Sequence, residues 1–416
     1  MSYGLSRLRC RVQHYEWGDT DFIPALLRIE NPERRPCAEL WMGAHPDLPA
    51  EVELEGKWVP LDQLIGASPE ELLGAAVARE FEGRLPYLLK VLSAKSPLSI
   101  QAHPSREAAR QGFARENAAG LPLDAWNRSY RDANHKPELI AALTDFYALR
   151  GFRPLPEIAR FLRQTPELRE LMSGFEPTTA SLKALYQRFM RLPQGDVDAM
   201  LDPLVRRLKE ADTKRRFTRE EREYWVLRAD RDHSRDGHRD RGLFSIFLLN
   251  LVHLQPGEAI HLPAGILHSY LEGSGIEIMA NSNNVLRGGL TSKHVDVPEL
   301  LATLRFEGGS AEILPPARIP GSREWRYDTL ASEFELRRME ITAGEPHQSA
   351  ADHSAEIAIV VAAEEGAQVT VESRDRSLEL RRGDVFLAWF GTPYTLSAAA
   401  PATLYKATVP RANPAG

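Results

Sequence analysis

A helical segment set between two stretches of short, strand-like runs is the feature that most constrains how this chain can fold. From Pro154 to about Arg228, apolar residues such as Leu155, Ile158 and Leu162 recur at helical spacing, and charged residues fill the opposite face. On both sides of this segment, short apolar runs are divided by many of the chain's 29 prolines and 28 glycines. Such runs favour antiparallel β architecture over βαβ units. The pattern predicts a mainly β protein interrupted by one helical region.

Local patterns refine this outline. The segment after Ser68 predicts a single helix that ends at Ala78, with Ser68 as its N-cap. The charged run from Arg231 to Arg241 predicts an exposed loop, and the apolar sequence from Leu243 predicts that strands resume there. Residues 311–322 are typical of a linker. The alternation over residues 331–410 is long enough for one more small β sandwich or barrel.

Composition excludes several classes of partner and site. The 416 residues include 52 Lys and Arg against 58 Asp and Glu, and the net charge of −6 disfavours binding to nucleic acid or an anionic membrane. Two cysteines, Cys10 and Cys37, cannot build a disulfide framework or a Cys-rich zinc site. The sequence contains neither a signal-peptide core nor an apolar run of membrane-spanning length, so we expect a cytoplasmic protein.

Two segments place polar side chains on one face of an extended chain, and the pair in the first could reach one ion. In SIQAHPS, Gln101 and His103 lie two residues apart and would face the same way on an extended strand. In HKPELIAAL, Lys136 and Glu138 would share a face and His135 the opposite one. A carboxylate that heads a buried strand must be paired or bound to a cation. Taken singly, each segment fits a structural role as well: a buried polar pair, or a surface glutamate at a strand start.

Two further segments add a histidine and two cations. His268 follows PAG at the start of a strand-like run, and neutral imidazole is a common zinc ligand. His261 would face the other side by alternation, which indicates a structural role. In NNVLRGGLTSKH, Arg287 offers a planar fork that matches phosphate and Lys293 a point charge. An ordinary turn with two solvated cations remains the alternative for that segment.

The stretch GEAIHLPAGILH, which ends at His268, resembles the second sequence motif of the cupin jelly rolls. A weaker copy from Gly383 to Thr395 lacks the matching proline and histidine. The resemblance implies two jelly rolls, of which only the first is able to hold a metal. A second metal site at His347 and His353 is disfavoured because their spacing lacks paired ligands. We expect the His233 and His238 loop to be solvated charge.

The order of the motifs is more specific than any one of them. From Tyr15 to Asp296 the chain reads YEWG, AELWMGAHP, LPYLLKVLS, SIQAHPS, HKPELIAAL, HLPAGILHSY and NVLRGGLTSKHVD. This series resembles the type I mannose-6-phosphate isomerases. The resemblance implies two cupin-type jelly rolls with an α-helical domain inserted in the first. The implied domains are a catalytic cupin domain (1–150 plus 243–330), a helical insertion (151–242) and a C-terminal degenerate cupin domain (331–416).

The same resemblance implies the roles of individual residues. One zinc ion would be held by Gln101, His103, Glu138 and His268. Arg287 would be catalytic, and Lys136, His135 and Glu277 are the candidate catalytic groups for moving protons. The phosphate of the substrate would contact Lys293, Arg106 and Ser99. The expected partner is a small phosphosugar, with the chain a monomer or weak homo-oligomer.

The implied reaction interconverts mannose 6-phosphate and fructose 6-phosphate through an enediol. The absence of a dinucleotide or P-loop motif fits a reaction without a redox cofactor. The carrier of the proton between C1 and C2 is open among Lys136, Glu277 and a zinc-bound water. Asn283 stands where the family commonly has an acidic residue, which favours one alternative, an isomerase of another phosphosugar. A non-catalytic, metal-bearing sugar-binding cupin is the other, and the full set of candidate ligands argues against it.

Overall fold

The computed structural model describes residues 4–349 and 351–410. The strands are β1 Leu5–Arg9, β2 Arg11–Gln13, β3 Glu39–Gly43, β4 Glu51–Leu54, β5 Lys57–Pro60, β6 Tyr87–Ala94, β7 Ile100–Ala102, β8 Glu138–Ala142, β9 Phe146–Phe152, β10 Leu249–Leu254, β11 Ala259–Leu262, β12 His268–Ala280, β13 Leu286–Gly289, β14 Ala317–Arg318, β15 Glu324–Arg326, β16 Glu335–Ile341, β17 His347–Ser349, β18 Glu356–Ala363, β19 Val369–Glu372, β20 Ser377–Leu380, β21 Val385–Ala388, β22 Tyr394–Ala398 and β23 Ala402–Thr408.

The helices are α1 Phe22–Leu27, α2 Leu61–Ala67, α3 Pro69–Leu73, α4 Ala75–Glu80, α5 Arg106–Ala118, α6 Leu155–Gln164, α7 Thr179–Arg191, α8 Gln194–Lys214, α9 Arg222–His233, α10 Gly242–Leu248 and α11 Val297–Thr303, with a 3-10 helix over Pro166–Met172. The mainly β character predicted from the sequence is confirmed. The division into jelly rolls, the insertion and the domain boundaries stay predictions.

One sheet network carries the N-terminal motifs. Its ten strands centre on β12, which pairs antiparallel with β6, β7, β8 and β9. The register places Glu277 opposite Lys90, Met279 opposite Glu138, and His268 opposite Gln101. Strand β12 is therefore the element that brings residues far apart in sequence into one place.

The helical segment leaves this sheet and returns to it at neighbouring strands. Strand β9 precedes the segment, β10 follows it, and the two pair antiparallel, with Phe152 opposite Leu249. Helices α6 to α10 bury their apolar stripes in one core that includes Ile158, Leu162 and Phe189. Because the segment begins and ends at adjacent strands, its packing does not interrupt the sheet.

The C-terminal strands form two sheets packed face to face. A nine-stranded sheet has the order β14-β15-β16-β23-β18-β21-β1-β4-β5, and a four-stranded sheet has the order β17-β22-β19-β20. Apolar residues from both sheets, such as Met339, Val371 and Leu396, are buried between them. We call this unit the C-terminal sandwich. It includes strands β1, β4 and β5 from the start of the chain.

Two local predictions were wrong. The single helix from Ser68 to Ala78 is instead divided into α3 and α4 at Gly74, whose φ of +88° breaks the helix. A Cβ at Gly74 would lie 2.6 Å from the ring of Phe390, so a larger residue would also have to displace that ring. The run from Leu243 begins not with a strand but inside α10, a helix buried on every side. A continuous apolar run has no periodicity to distinguish these two cases.

The charged run from Arg231 to Arg241 is not an exposed loop throughout. Helix α9 continues to His233, and the Arg239 guanidinium lies 2.6 Å from the buried carboxylate of Asp230. The Asp240 carboxylate accepts hydrogen bonds from backbone N–H groups of another segment. These contacts make the run part of the wall of a cavity.

Candidate active site

Three buried side chains converge where β7, β8 and β12 meet. His103 directly follows β7, Glu138 opens β8 and His268 opens β12. The Nε2 atoms of His103 and His268 lie 3.3 and 3.4 Å from the same oxygen, Oε2 of Glu138. Within the described ranges, this is the one group of three or more His, Cys, Asp or Glu side chains close enough to share an ion.

The hydrogen bonds around the two histidines leave their inward nitrogens free. His103 Nδ1 lies 2.8 Å from the carbonyl of Asn284, and His268 Nδ1 lies 2.8 Å from the carbonyl of Ile266. A carbonyl only accepts, so each Nδ1 carries the hydrogen and each Nε2 presents a lone pair. Among the described residues, neither Nε2 nor Oε2 of Glu138 has a hydrogen-bond partner. Unpartnered buried acceptors aimed at one point are what a cation would satisfy.

The electrostatics of the three groups suit a divalent cation. Burial lowers the pKa of His103, which favours the neutral imidazole. Burial opposes ionisation of Glu138, but neighbouring positive charge, including the Lys136 ammonium, outweighs it and holds the pKa of that carboxyl well below its usual range. Two neutral imidazoles and a carboxylate are donors that zinc and similar metals accept.

A polar cavity of about 950 Å³ opens beside this group. Its wall includes many of the residues predicted from the sequence: Ser99, Gln101, Lys136, Glu138, Glu277, Arg287 and Lys293. The Lys136 ammonium lies 3.3 Å from Oε1 of Glu138, as expected for two side chains on one face of an extended strand. Side chains from segments distant in sequence therefore line the same cavity.

A buried ion cluster that the sequence analysis missed lies on the same wall. Lys90, in the middle of β6, lies 3.0 Å from Oε2 of Glu277 and 3.4 Å from Oε1 of Glu39. Burial favours a neutral amine, but these two carboxylates outweigh it and raise the pKa of Lys90. Burial and the charges of Glu138 and Glu39 raise the pKa of Glu277. A lysine within the apolar run YLLKVLSA was the signal for this cluster, since lysine is seldom buried without a partner.

One part of the cavity wall, here called the cationic end, carries positive charge. Lys293 and Arg287 line it, and Arg131, which the sequence analysis missed, adds a third positive charge. Burial, together with the charge of Arg131, lowers the pKa of Arg287. The pKa of Lys293 is lowered by burial and by the two arginines. Cations that repel one another at close range favour the binding of an anion between them.

Two predicted site residues lie elsewhere. His135 Nε2 lies 2.6 Å from Oε1 of Glu333, and Arg106 forms an ion pair with the same carboxylate. Neither His135 nor Arg106 is among the residues that line the cavity. Strand alternation explains the difference, because His135 faces away from Lys136. These contacts join the segments that contain Arg106 and His135 to the chain that leads into β16.

The predictions for two other pairs of histidines had different outcomes. His347 Nε2 lies 2.9 Å from a carboxylate oxygen of Glu324, and both ring nitrogens of His353 lie within 3 Å of backbone carbonyls, so these two do not form a metal pair. His233 and His238, expected to be solvated charge, both line the cavity, and the side chain of His238 is exposed as expected. His238 is held there by Asp198, at 2.7 Å.

Comparisons with known proteins agree on one family. The model of the type I phosphomannose isomerase catalytic domain matches residues 5–155. The mannose-6-phosphate isomerase of Salmonella typhimurium is 38% identical over 364 residues, which cover 86% of this chain and 89% of that protein. The Escherichia coli enzyme is 37% identical over 396 residues, covering 94% and 97%.

A solved structure extends the similarity to the fold. The Salmonella typhimurium enzyme bound to its substrate, fructose 6-phosphate, and to zinc has a TM-score of 0.86 and 33% identity, with 98% of this chain and 99% of that chain covered. In the described part of the present chain, no helix has the length and apolar character needed to cross a bilayer.

Proposed function

The chain belongs to the type I mannose-6-phosphate isomerases, and on that premise we propose that it interconverts mannose 6-phosphate and fructose 6-phosphate with one bound zinc ion. The observation that carries the proposal is the convergence of unpartnered atoms of His103, Glu138 and His268 beside a cavity with a cationic end. The relative of known structure that binds zinc and fructose 6-phosphate is similar to this chain over nearly its whole length.

The zinc would be held by His103, Glu138 and His268, with Gln101 from the cavity wall as the fourth protein ligand. Neutral imidazoles, a carboxylate and an amide oxygen are acceptable zinc donors, and the open cavity leaves room for a further ligand. When bound, such an ion supplies Lewis acidity that stabilises negative charge on a substrate oxygen.

The cationic end would hold the phosphate. Arg287 can donate two parallel hydrogen bonds to phosphate oxygens, while Lys293 and Arg131 add charge. Ser99 lines the cavity and could donate its hydroxyl. The register sets Arg287 opposite Gln101, so a phosphate anchored here would keep the open-chain sugar beside the metal ligands. Such positioning makes the proton transfer effectively intramolecular.

We assign the proton transfer between C1 and C2 to Glu277. A carboxyl group with a raised pKa is suited to act as both acid and base near neutral pH. Lys90, 3.0 Å away, would stabilise the carboxylate after it releases the proton. The enediol that forms on the substrate would then receive the proton at the neighbouring carbon. Lys136 lies beside Glu138 and is the competing candidate for this role.

Asn283 stands where the family commonly has an acidic residue, but this position does not contribute to the described cavity wall. Its side chain donates a hydrogen bond to Asp47, at 2.9 Å, and its backbone N–H donates to Asp132. Asn283 is not among the residues that line the cavity. The departure from the family pattern is therefore compatible with the isomerase reaction.

Metal removal tests the proposal. Dialysis against a chelator should abolish conversion of mannose 6-phosphate, and stoichiometric zinc should restore it. His103→Ala and His268→Ala should each lose bound zinc, whereas the control His253→Ala, a partly exposed histidine paired with Asp145 and Glu220, should retain it.

Other results would redirect the assignment. Full activity after complete metal removal would contradict the zinc role. Turnover of a different aldose phosphate in place of mannose 6-phosphate would indicate another phosphosugar isomerase. Bound zinc without any isomerisation would indicate a sugar-binding protein.

A further inference from the structure

A second cavity, of about 220 Å³, lies in the C-terminal sandwich. At roughly 30 Å³ per water molecule it has room for about seven waters, the size of a small polyol rather than of a nucleotide. Residues of β15, β16, β17, β18 and β23 line it. The residues assigned to the isomerase site do not include any of these, so a role for the second cavity does not depend on the proposed function.

Buried charges dominate this second cavity. The Lys406 ammonium lies 2.8 Å from Oε1 of Glu324 and 3.2 Å from Oε1 of Glu356. The Arg337 guanidinium lies 2.7 Å from the other oxygen of Glu324. Lys406, Glu324 and Glu356 are each 3% exposed or less. Burying ions costs several kcal/mol each in desolvation, and apolar residues of similar volume would often pack as well. Stability alone is therefore a weak explanation for this network.

The charges are paired so that the network excludes a metal ion. Burial alone would favour a neutral Lys406, but Glu356 and Glu324 are among the groups that outweigh it and raise the pKa of that ammonium. The ammonium occupies the position between two carboxylates that a cation would need. With two carboxylates against Lys406 and Arg337, the wall has no excess of either charge. Neither a cation nor an anion has an unpaired counter-charge among these groups.

One buried polar group on this wall lacks a partner. Thr408 is 2% exposed, and among the described residues its hydroxyl has no hydrogen-bond partner. Thr408 lies two residues after Lys406 on β23, so the two side chains point to the same side of the strand, into the cavity. A buried hydroxyl without a partner is costly, and a ligand or water in the cavity would satisfy it.

We propose that this second cavity binds a small, uncharged polyhydroxy compound, such as a sugar or sugar alcohol. Each hydroxyl of such a ligand both donates and accepts hydrogen bonds, so it can pair with carboxylates, cations, amides and hydroxyls alike. The wall offers all four kinds, the last two through Gln348 and Thr408. A phosphorylated sugar would place its charge against two buried carboxylates, whereas the neutral compound avoids this cost.

Methyl-selective NMR of the zinc-loaded full chain, titrated with D-mannitol, tests the proposal. Ile319 and Val409 line the second cavity, and Leu290 lines the first, so their methyl signals report on the two sites separately. We expect saturable shifts of Ile319 and Val409, with a dissociation constant in the millimolar range or tighter. Thr408→Val should weaken binding about fivefold by removing one hydrogen bond. The matched control Thr370→Val, in the four-stranded sheet, should leave it unchanged.

Three results would overturn the proposal: no saturable shift with mannitol, shifts confined to Leu290, or shifts of Ile319 and Val409 with inorganic phosphate but not with mannitol. The last would make the cavity an anion site. Unchanged affinity in Thr408→Val would contradict the role of its hydroxyl. The titration of the unmodified protein decides whether the cavity binds mannitol even if this variant does not fold. A protein that lacks isomerase activity should still show the mannitol-induced shifts of Ile319 and Val409, so failure of the proposed function can be told apart from failure of this proposal.

Discussion

Glu277 is buried among charged groups, an uncommon setting for a glutamate. It is buried on β12, paired with Lys90, and its carboxyl pKa is raised. If it transfers the C1/C2 proton, Glu277→Gln should lower kcat by about 10²- to 10⁴-fold, because an amide cannot accept the proton. Zinc content should be unchanged, since the metal ligands are untouched. Steady-state kinetics and metal analysis check both outcomes.

Exchange of the substrate's C2 hydrogen with solvent distinguishes Glu277 from Lys136 as the group that transfers the proton. In deuterated water, the loss of label uptake at the substrate's C2 should parallel the loss of turnover in Glu277→Gln. Lys136→Met provides the comparison, because Lys136 also lines the cavity. Near-normal turnover in Glu277→Gln, with loss of exchange in Lys136→Met, would transfer the role to the lysine.

Glu324 yields a prediction about stability and pH. Burial opposes its ionisation, but hydrogen bonds from His347, Lys406 and Arg337 outweigh burial and depress the pKa in the folded state. A depressed pKa contributes stability at pH values above the unfolded-state pKa of about 4.3, and the contribution is lost as pH falls below that value. Glu324→Gln should therefore cost about 3–5 kcal/mol near pH 7, and the difference should shrink below about pH 4.3.

Urea unfolding at several pH values measures this difference. The control is Glu340→Gln, a partly exposed glutamate paired with Arg338, which should cost no more than about 1 kcal/mol. A penalty for Glu324→Gln that stays constant down to pH 3 would mean that its charge does not contribute to stability.

Single residues were predictable where the signal was local. Strand alternation alone placed Gln101 beside His103 and Lys136 beside Glu138. In the structure Gln101, Lys136 and Glu138 line the cavity, and His103 adjoins Glu138. Lys90 and Arg131 were not predicted as site residues. Their roles depend on partners far away in sequence, which only the register of β12 and the folding of loops bring together. The resemblance named His135 and Arg106 as site residues, but it carried no information about their contact with Glu333.

Among the secondary-structure elements, the turn after β13 depends on a contact from the charged run before α10. Asp240 accepts hydrogen bonds from the N–H groups of Leu290, at 2.7 Å, and Thr291, at 3.2 Å. Leu290 has a φ of +51°, an uncommon value for leucine, and Gly289 packs so closely that a Cβ would lie 2.4 Å from Gly242. This turn leads directly to Lys293 at the cationic end of the cavity.

Asp240→Ala should therefore raise KM for mannose 6-phosphate by about tenfold or more, with a smaller change in kcat. Loss of these hydrogen bonds, at about 1 kcal/mol each, would loosen the turn that presents Lys293. A change of this kind weakens binding of the substrate and the transition state alike. Asp240→Asn keeps one acceptor oxygen and should give an intermediate KM. A fall in kcat at constant KM would place Asp240 in the chemical step instead.

Whether a helix could be predicted from the sequence depended on whether one of its faces is exposed to solvent. The helical stripes of α6 to α8 were evident because one face is solvated, so charged residues mark the period. Helix α10 is buried all round, and its sequence carries no such mark. The interruption at Gly74 follows from its positive φ, and its packing against Phe390, more than three hundred residues away, is a contact that no local pattern encodes.

For the whole molecule, the start and the end of the chain share one sheet and one core. Strand β1 lies between β21 and β4, with Leu8 opposite Val385 and Val52. The buried Tyr87 hydroxyl donates to the carbonyls of Ala355 and Ala407 in the C-terminal sandwich. The sequence predicted a separate C-terminal unit from residue 331, but the alternation of β1 contains nothing to identify its partner strand.

A chain that ends at residue 330 should therefore fail to fold on its own. It would leave β1 without β21 and expose the apolar faces of Leu8 and Val52, which pack in one cluster with Ile357 and Leu387. We expect aggregation or a loss of near-ultraviolet circular dichroism, and recovery of isomerase activity when residues 331–416 are co-expressed as a separate fragment. A soluble, active 1–330 chain would show that the two parts fold independently despite the sheet that they share.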